Sequence, residues 1–399
     1  MPYEHKKGKL EMENNFGVVD RRAFFKTVSA ATVMVPLMSV LSCARKNDFS
    51  HRIIRVHCGE ASRPWNYNAN APWDHTVEPR DGQPGKIMER YFDYYNDEAV
   101  AEMLDRGLRE LTGESSVKKA WRVLLPELNK EQKITIKMNL NNASFDENIT
   151  TNRMDQTIPL VNALLDDLVH GLGMGESNIT LLDASRCFHP VIIKGRCKFL
   201  KVNWVDSQKE ERWDKNEAVV FTRDEPLPGG NFWMPKAYTQ ADHIINLCLM
   251  KNHGCGITGA MKNHFGSIPS PKCLHEGLGD KSYIADLCNT HSIKNKVRIN
   301  IADAVFANWH NNVWAPRPWK TFPEESCNSL IMGVDPVAMD SVMLDHIIDE
   351  IEAQKDNAPG WVRDCVTHHA FLDYAMKQHV LGVFEHKPYK QIDYRVIEI

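Results

Sequence analysis

Residues 243–266 read HIINLCLMKNHGCGITGAMKNHFG. The first part, 243–249, is an almost continuous apolar run, which is typical of a strand buried on both faces of a parallel sheet. The second part, 251–266, brings two lysines, two histidines and four glycines into sixteen residues. Glycine lets a backbone approach a ligand closely, and lysine can neutralise a carboxylate or phosphate or, when desolvated, act as a base or nucleophile. The stretch therefore predicts a buried strand that runs into a ligand site.

This strand is one of a series that alternates with helices along the chain. Helical apolar spacing runs from Asp97 to Gly113 and over 158–169, and Asp335 with Pro336 suits the start of another helix. Short apolar runs predict further strands at 52–57, 134–138, 179–182, 202–205, 297–301 and 330–334. The pattern predicts an α/β fold, a mostly parallel sheet flanked by helices, in a single main domain over 52–399.

Polar residues lie at or just after the carboxyl ends of these predicted strands. They are Lys137, Asn139, Asp183, Lys251, His253, Asp303 and Asp335. In an open α/β sheet, ligands bind in the crevice outside the carboxyl ends of the strands. We therefore expect these side chains to converge on one crevice, although Asp335 taken alone is better explained as a helix N-cap.

The glycine-rich stretch matches neither a phosphate-binding Walker A loop nor a dinucleotide fingerprint, because its glycine and lysine spacings differ. Five sequence blocks occur in a fixed order along the chain. They are Ile136-Lys137-Met138-Asn139-Leu140, Gly175-Glu176-Ser177-Asn178, Lys251-Asn252-His253 with Thr258-Gly259-Ala260-Met261-Lys262-Asn263, Asn300-Ile301-Ala302-Asp303-Ala304, and Asp335-Pro336-Val337-Ala338-Met339-Asp340. With these blocks the chain resembles the domain of unknown function 362 (DUF362) family over about residues 52–350, although the family more often has Pro in place of Met138. Many members of that family carry an added ferredoxin-type cluster domain, and no C-x-x-C motif of that kind occurs in this sequence.

The family has no general assigned reaction, so the resemblance implies a fold and a set of site positions. With the residue chemistry, it marks Lys137, Lys251, His253 and Lys262 as catalytic, and Asn139, Gly259, Asn263, Asp335 and Asp340 as substrate-binding. In this interpretation lysines hold a small anionic ligand, a carboxylate or phosphate, while His253 or an acidic residue moves a proton. The alternatives are a metal- or iron-sulfur-dependent redox protein and a non-catalytic ligand-binding lipoprotein.

Histidines and cysteines in the same part of the chain are the basis of the metal alternative. The candidate ligands are His253, Cys255, His264, Cys273 and His275. Imidazole and thiolate suit zinc, nickel, iron or copper. None of the spacings is a recognised metal motif, so the cofactor stays unknown, with a metal ion as one alternative.

The N-terminal segment, 1–43, predicts export. Arg21 and Arg22 stand ahead of an apolar run at 27–41, which is typical of a twin-arginine signal. The run is shorter than the roughly twenty residues that span a bilayer, so we expect removal after export. The twin-arginine translocase is the expected partner, and it carries proteins that have already folded.

The apolar run ends at Ser42 and Cys43, which resemble a lipoprotein processing site, and a polar tether follows at 44–51. A lipid on Cys43 would be the only contact with a membrane. The expected location is the periplasm or cell envelope. The formal net charge of −4 gives no general attraction to nucleic acid, so no nucleic-acid partner is expected.

Overall fold

The computed structural model describes residues 48–64, 91–140, 154–222, 232–269, 271, 274, 283–310 and 316–399. The described strands and helices belong to one unit, Asn47–Ile399. The predicted signal with Arg21, Arg22 and Cys43, and the metal candidates Cys273 and His275, lie outside the described residues.

A nine-stranded sheet and a separate two-stranded sheet contain the described strands. Their bounds are β1 (Arg52–His57), β2 (Ile134–Lys137), β3 (Ile179–Leu182), β4 (Asn203–Val205), β5 (Trp213–Ala218), β6 (Trp233–Pro235), β7 (His243–His253), β8 (Gly256–Thr258), β9 (Val297–Asn308), β10 (Ser329–Gly333) and β11 (Asp393–Glu398). The large sheet has the order β11-β1-β10-β9-β7-β2-β3-β4, with β8 paired to β7, and β5 pairs with β6. Neighbours in the large sheet are parallel except that β10 is antiparallel to both β9 and β1, and β8 is antiparallel to β7. The predicted α/β fold with a mostly parallel sheet is confirmed.

Helices cover both faces of this sheet. Their bounds are α1 (Asp97–Thr112), α2 (Val117–Leu124), α3 (Ile158–Asp166), α4 (Lys236–Thr239), α5 (Tyr283–Cys288), α6 (His291–Lys296), α7 (Pro336–Gln354), α8 (Gly360–Cys365) and α9 (Ala370–His379). The α1 helix ends as predicted at Gly113, whose φ of 76° favours glycine. The predicted helix over 158–169 is shorter, because α3 passes into a π-helical turn at Asp167–Gly171. Within the described ranges, no helix has the length and apolar character to cross a membrane.

Strand β7 shows why the apolar run of the sequence is continuous. Ile245 and Leu247 pack on the face covered by α1, α2 and α3, whereas Ile244 and Cys248 pack on the face covered by α5, α7 and α9. Both faces of β7 are therefore buried. Each fully buried apolar side chain of this size contributes about 1.5–3 kcal/mol to folding, so the central strand is held firmly in place.

Strands β7 and β9 extend well beyond the predicted ends at Leu249 and Ile301. They pair with each other as far as Lys251 with Asn308, and β7 also pairs with β8 through Lys251 and Thr258. This pairing satisfies the backbone N–H and C=O groups of a polar stretch, which lacks the apolar pattern typical of a buried strand. Lys251 consequently lies within β7 and not in a loop after it.

The direction of β10 corrects one predicted member of the crevice. Because β10 is antiparallel to β9, its carboxyl end lies at the opposite edge of the sheet from the carboxyl ends of β2, β3 and β7. Asp335 follows β10 and accepts hydrogen bonds there from the backbone N–H groups of Val337 and Ala338, as a helix N-cap, and of Val383. The prediction that Asp335 joins the crevice is therefore wrong, and its N-cap role is confirmed.

Candidate functional site

The carboxyl edge of β2, β3 and β7 holds a buried ion pair between Lys137 and Asp183. Lys137 ends β2, Asp183 follows β3, and the Lys137 Nζ lies 3.1 Å from the Asp183 Oδ2, with both side chains at most 2% exposed. Asp183 also accepts from the backbone N–H groups of Leu140, Ser185 and Arg186. Burial lowers the pKa of Lys137, and the nearby Asp183 carboxylate opposes that shift. So many donors on one carboxylate fix the position of Asp183.

A chain of asparagine side chains connects this pair to Lys251. The Lys251 Nζ donates to Asn139 Oδ1 at 2.8 Å and to the Met154 carbonyl at 2.9 Å. Asn139 Nδ2 then donates to Asn263 Oδ1 at 2.9 Å, and Lys137 Nζ donates to the same oxygen at 3.4 Å. These contacts fix the orientation of both amides, so Asn139 and Asn263 form a rigid wall that Lys137 and Lys251 hold from behind.

This wall borders a small cavity of about 50 Å³. Lys262 contributes a side chain that is only 7% exposed, with its Nζ 4.9 Å from the centre of the Phe265 ring. Lys137 and Lys251 are fully buried and lie behind the wall, outside the lining. The described lining residues are Asn139, Leu140, Asp183, Ser185, Arg186, Thr258, Lys262, Asn263, Phe265, Gly266 and Pro271.

The cationic side chains lie close enough to affect one another. Burial lowers the pKa of Lys251 to about 7, with further lowering by the charges of Lys262 and Lys137 and an opposing effect of Asp155. Burial also lowers the pKa of Lys262 to about 8, opposed by Cys255 and reinforced by the charge of Arg186. A lysine whose pKa approaches neutrality can give or take a proton under ordinary conditions. Only Lys262 among these lysines also lines the cavity.

Gly259 and Asp340 build the turn that carries Lys262. Asp340, fully buried on α7, accepts from the backbone N–H groups of Ala260 at 2.5 Å and of Met261 at 3.0 Å. A Cβ at position 259 would lie 2.1 Å from the Asp340 Oδ1, so only glycine leaves room for this carboxylate. Burial raises the pKa of Asp340 to about 7. Neither residue is among the described lining of the cavity, so both position the turn from behind.

The described histidine and cysteine candidates, His253, Cys255 and His264, make separate contacts. His253 Nδ1 accepts from the Cys255 backbone N–H at 3.0 Å, and His253 is not among the described lining residues. His264 Nδ1 lies 3.0 Å from the Tyr238 hydroxyl, and burial lowers the pKa of His264 to about 3, which keeps it neutral. Burial raises the pKa of the Cys255 thiol to about 11. In the described part of the chain, no three His, Cys, Asp or Glu side chains are grouped to hold a metal ion.

Asp303 stands apart from the cavity and supports the wall indirectly. It accepts from the Tyr95 hydroxyl at 2.9 Å and the Thr157 hydroxyl at 2.7 Å. The Gln156 side chain donates to the same carboxylate at 3.3 Å, while its backbone N–H donates to the Asn139 carbonyl at 2.7 Å. Asp303 thus holds the segment whose Met154 carbonyl binds Lys251.

Arg186 is the charged lining residue that the sequence prediction missed. It lies three residues beyond Asp183 in a turn, where its backbone N–H donates to the Asp183 Oδ1 at 3.1 Å. The rule that placed Asp183 after a strand applies equally to residues a few positions later in the same turn. A prediction that included the whole turn after β3 would have identified Arg186.

The fold, the asparagine wall and the buried lysines behind it define an α/β protein with a cation-rich site at the carboxyl edge of its sheet. The model of the family described as Domain of unknown function (DUF362) matches residues 134–345, from the first residue of β2 into α7. The matched region is more than half of the chain and contains every lining residue, and the chain belongs to this family. No curated protein matches the chain.

Proposed function

We propose that this protein is an enzyme that acts on a small anion, a carboxylate or phosphate, bound in the cavity at Lys262 and Arg186. The observation that carries the proposal is the placement of these two cationic side chains in one cavity wall with Lys137 and Lys251 behind it. Lys262, Arg186 and Lys251 lie in or next to this cavity, whereas the charge of Lys137 is paired with Asp183. Cationic groups gathered at one cavity create a positive potential that an anion relieves. An ammonium and a guanidinium are also the two side chains that proteins use most for carboxylates and phosphates.

The buried groups have different tasks in this proposal. Lys137 and Lys251 act through Asn139 and Asn263, since their ammonium groups donate to the side chains of those residues. The two asparagines therefore present a fixed polar surface to the ligand. A wall that is already oriented loses little entropy when the anion binds, which favours both affinity and catalysis.

Lys262 is the proposed proton carrier. With a pKa of about 8 it is mostly protonated at pH 7, so it attracts the anion and can then release a proton to a substrate oxygen. The Asp183 carboxylate already accepts from the Lys137 ammonium and several backbone N–H groups, so we assign proton transfer to Lys262. This departs from the sequence interpretation, which gave proton transfer to His253 or an acidic residue.

Replacing Lys262 with methionine is expected to weaken anion binding by at least about tenfold, because one charge-assisted hydrogen bond of about 1.5–3 kcal/mol is lost. The measurement is calorimetric titration at pH 7 with inorganic phosphate and, separately, with oxalate. Lys377→Met is the matched control, since Lys377 is an exposed lysine of α9 that pairs with Asp373. We expect this control to bind both anions like the native protein.

Equal affinity of the Lys262→Met and native proteins for both anions would remove the basis of the proposal. Preference for oxalate or for phosphate assigns the anionic group of the substrate. Binding of an anion without turnover of any carboxylate or phosphate ester screened would favour the non-catalytic alternative instead.

We also propose that the chain is exported in folded form to the cell envelope, with Cys43 as a lipid attachment site. The support is the pair Arg21 and Arg22 ahead of the apolar run at 27–41, and Ser42 before Cys43. Both parts of this proposal rest on the sequence alone.

Exchange of Arg21 and Arg22 for lysines is expected to leave the unprocessed protein in the cytoplasm, because the translocase reads the arginine pair. Cell fractionation and immunoblotting measure this, with Lys6→Arg and Lys7→Arg as the control pair in the same segment. Normal export of the lysine variant would refute the signal. Cys43→Ser should move the mature protein from the membrane fraction to the soluble fraction, and unchanged membrane association would refute the lipid anchor.

A further inference from the structure

We infer that the substrate carries a carbonyl group next to its anionic group, as in a 2-oxo acid, and that Lys262 forms an imine with that carbonyl. This inference rests on the proposed function and names the substrate class of the same cavity. It makes Lys262 a catalytic residue through its nitrogen as well as its charge.

The burial of Lys262 and its position in the cavity lining favour its amine as the reactive group. The Lys262 side chain is more than nine-tenths buried, lies over the Phe265 ring and lines the cavity. A lysine becomes a nucleophile when it is desolvated or lies next to another cation, and Lys262 meets both conditions through its burial and Arg186.

Arg186 explains why the carbonyl should lie next to an anionic group. A guanidinium binds a carboxylate with two parallel hydrogen bonds and stays charged at all relevant pH values. Arg186 and Lys262 line the same small cavity, and the Arg186 charge acts on the Lys262 amine. A carboxylate held by Arg186 therefore brings the next carbon of the ligand close to that amine.

The protonation state of Lys262 agrees with this geometry. Its pKa of about 8 leaves about a tenth of the amine neutral at pH 7, against less than about a thousandth for an ordinary lysine. The protonated fraction attracts the anionic group, and the neutral fraction can attack the carbonyl carbon.

The step balances without an oxidant or a metal. The lone pair of the neutral Lys262 nitrogen forms a C–N bond with the carbonyl carbon, and the carbonyl electron pair moves to oxygen. The nitrogen passes one proton to this oxygen, which gives a carbinolamine. The hydroxyl group then leaves with the remaining N–H proton as water, and the C=N bond forms. One amine and one carbonyl thus give one imine and one water.

Lys251 provides an internal contrast within the same protein. Its pKa of about 7 is lower than that of Lys262, so reactivity set by pKa alone would favour Lys251. However, Lys251 is fully buried behind the wall, and its ammonium donates to Asn139 and the Met154 carbonyl. If access to the cavity decides the reaction, only Lys262 should form the imine.

The test is reductive trapping with pyruvate as the probe. The full chain is incubated with pyruvate and borohydride, which reduces an imine to a stable secondary amine, and the labelled lysines are located by peptide mass spectrometry. We expect label at Lys262 to exceed label at the exposed Lys377 by at least about tenfold, because far more of its amine is neutral. Oxalate should protect Lys262 by occupying the cavity, and Lys262→Arg should lose the label.

The outcomes separate the inference from the function on which it rests. Label at Lys262 no greater than at Lys377, while oxalate and phosphate still bind, would overturn the inference and leave the anion site intact. Label at Lys251 in place of Lys262 would also overturn it. Absence of both label and anion binding would overturn the inference together with the proposed function. The native protein alone decides among these outcomes, so the result does not depend on the folding of a variant.

Discussion

Replacing Lys137 with methionine is expected to lower the free energy of unfolding by about 3–5 kcal/mol, which is the usual cost of breaking a buried ion pair by removing one partner. Lys137 and Asp183 are 0% and 2% exposed, so the variant would leave a buried carboxylate without its cation. The Asp183 carboxylate would keep its backbone donors but lose the Lys137 ammonium at 3.1 Å. Chemical denaturation at pH 7 measures the change.

Lys377→Met is the matched control for that experiment. Lys377 pairs with Asp373 at 2.8 Å on the surface of α9, and the two side chains are 62% and 41% exposed. An exposed pair four residues apart on a helix contributes about 0.3–0.5 kcal/mol, so this variant should be almost as stable as the native protein. Similar losses of unfolding free energy in the two variants would contradict the view that the Lys137 pair holds the wall in place.

Replacing Gly259 with alanine is expected to destabilise the protein by about 3 kcal/mol, through overpacking and the loss of hydrogen bonds to buried amides. The added Cβ would lie 2.1 Å from the Asp340 Oδ1 and 2.7 Å from its Cγ. The carboxylate must then leave the amides of Ala260 and Met261. Since these residues lead into Lys262, anion affinity should fall together with stability.

Gly254→Ala is the control for this second variant. Gly254 lies in the connection between β7 and β8, five residues before Gly259, and a Cβ there would meet no atom within 4 Å. Thermal or chemical denaturation should show a change within about 0.5 kcal/mol. A Gly259→Ala protein that is as stable as Gly254→Ala would show that Asp340 does not hold the turn as described.

The strands and helices with a clear apolar period were predictable from the sequence. β1, β3 and the C-terminal end of α1 lie where the pattern placed them, because burial on one or two faces imposes the apolar spacing. The full lengths of β7 and β9 were not predictable. Their extensions are stabilised by pairing with β8 and with each other, and pairing of a polar backbone leaves no trace in side-chain hydrophobicity.

Strand direction limited the prediction of the site. Lys137, Asn139 and Lys251 were expected to converge, and the structure brings them together at one edge of the sheet because β2 and β7 are parallel. The rule that ligands bind at carboxyl ends failed for Asp335, because β10 runs the other way and nothing in its five residues reveals direction.

The roles of the glycine-rich stretch also needed the structure. Lys251 and Lys262 have the same side chain, yet one is held behind the wall by Asn139 and the other lines the cavity. Gly259 was expected to approach a ligand, but the atom that requires glycine there belongs to Asp340 of a distant helix. Tertiary contacts of this kind are not encoded in local spacing.

The measurement that tests the central claim most directly is the affinity for sulfate, by calorimetry, from about pH 6 to about pH 10, because sulfate keeps its charge over this range while Lys262 loses its proton. The pKa of about 8 means that the ammonium is fully present at low pH and is lost as pH rises through that value. We therefore expect the affinity of the native protein to fall steeply above about pH 8, by up to about tenfold per pH unit. In Lys262→Arg the cation at the cavity persists, so only a smaller decrease near pH 7, caused by deprotonation of the buried Lys251, should remain. Parallel pH profiles of the two proteins, or no sulfate binding by either, would contradict the claim that Lys262 holds the anion.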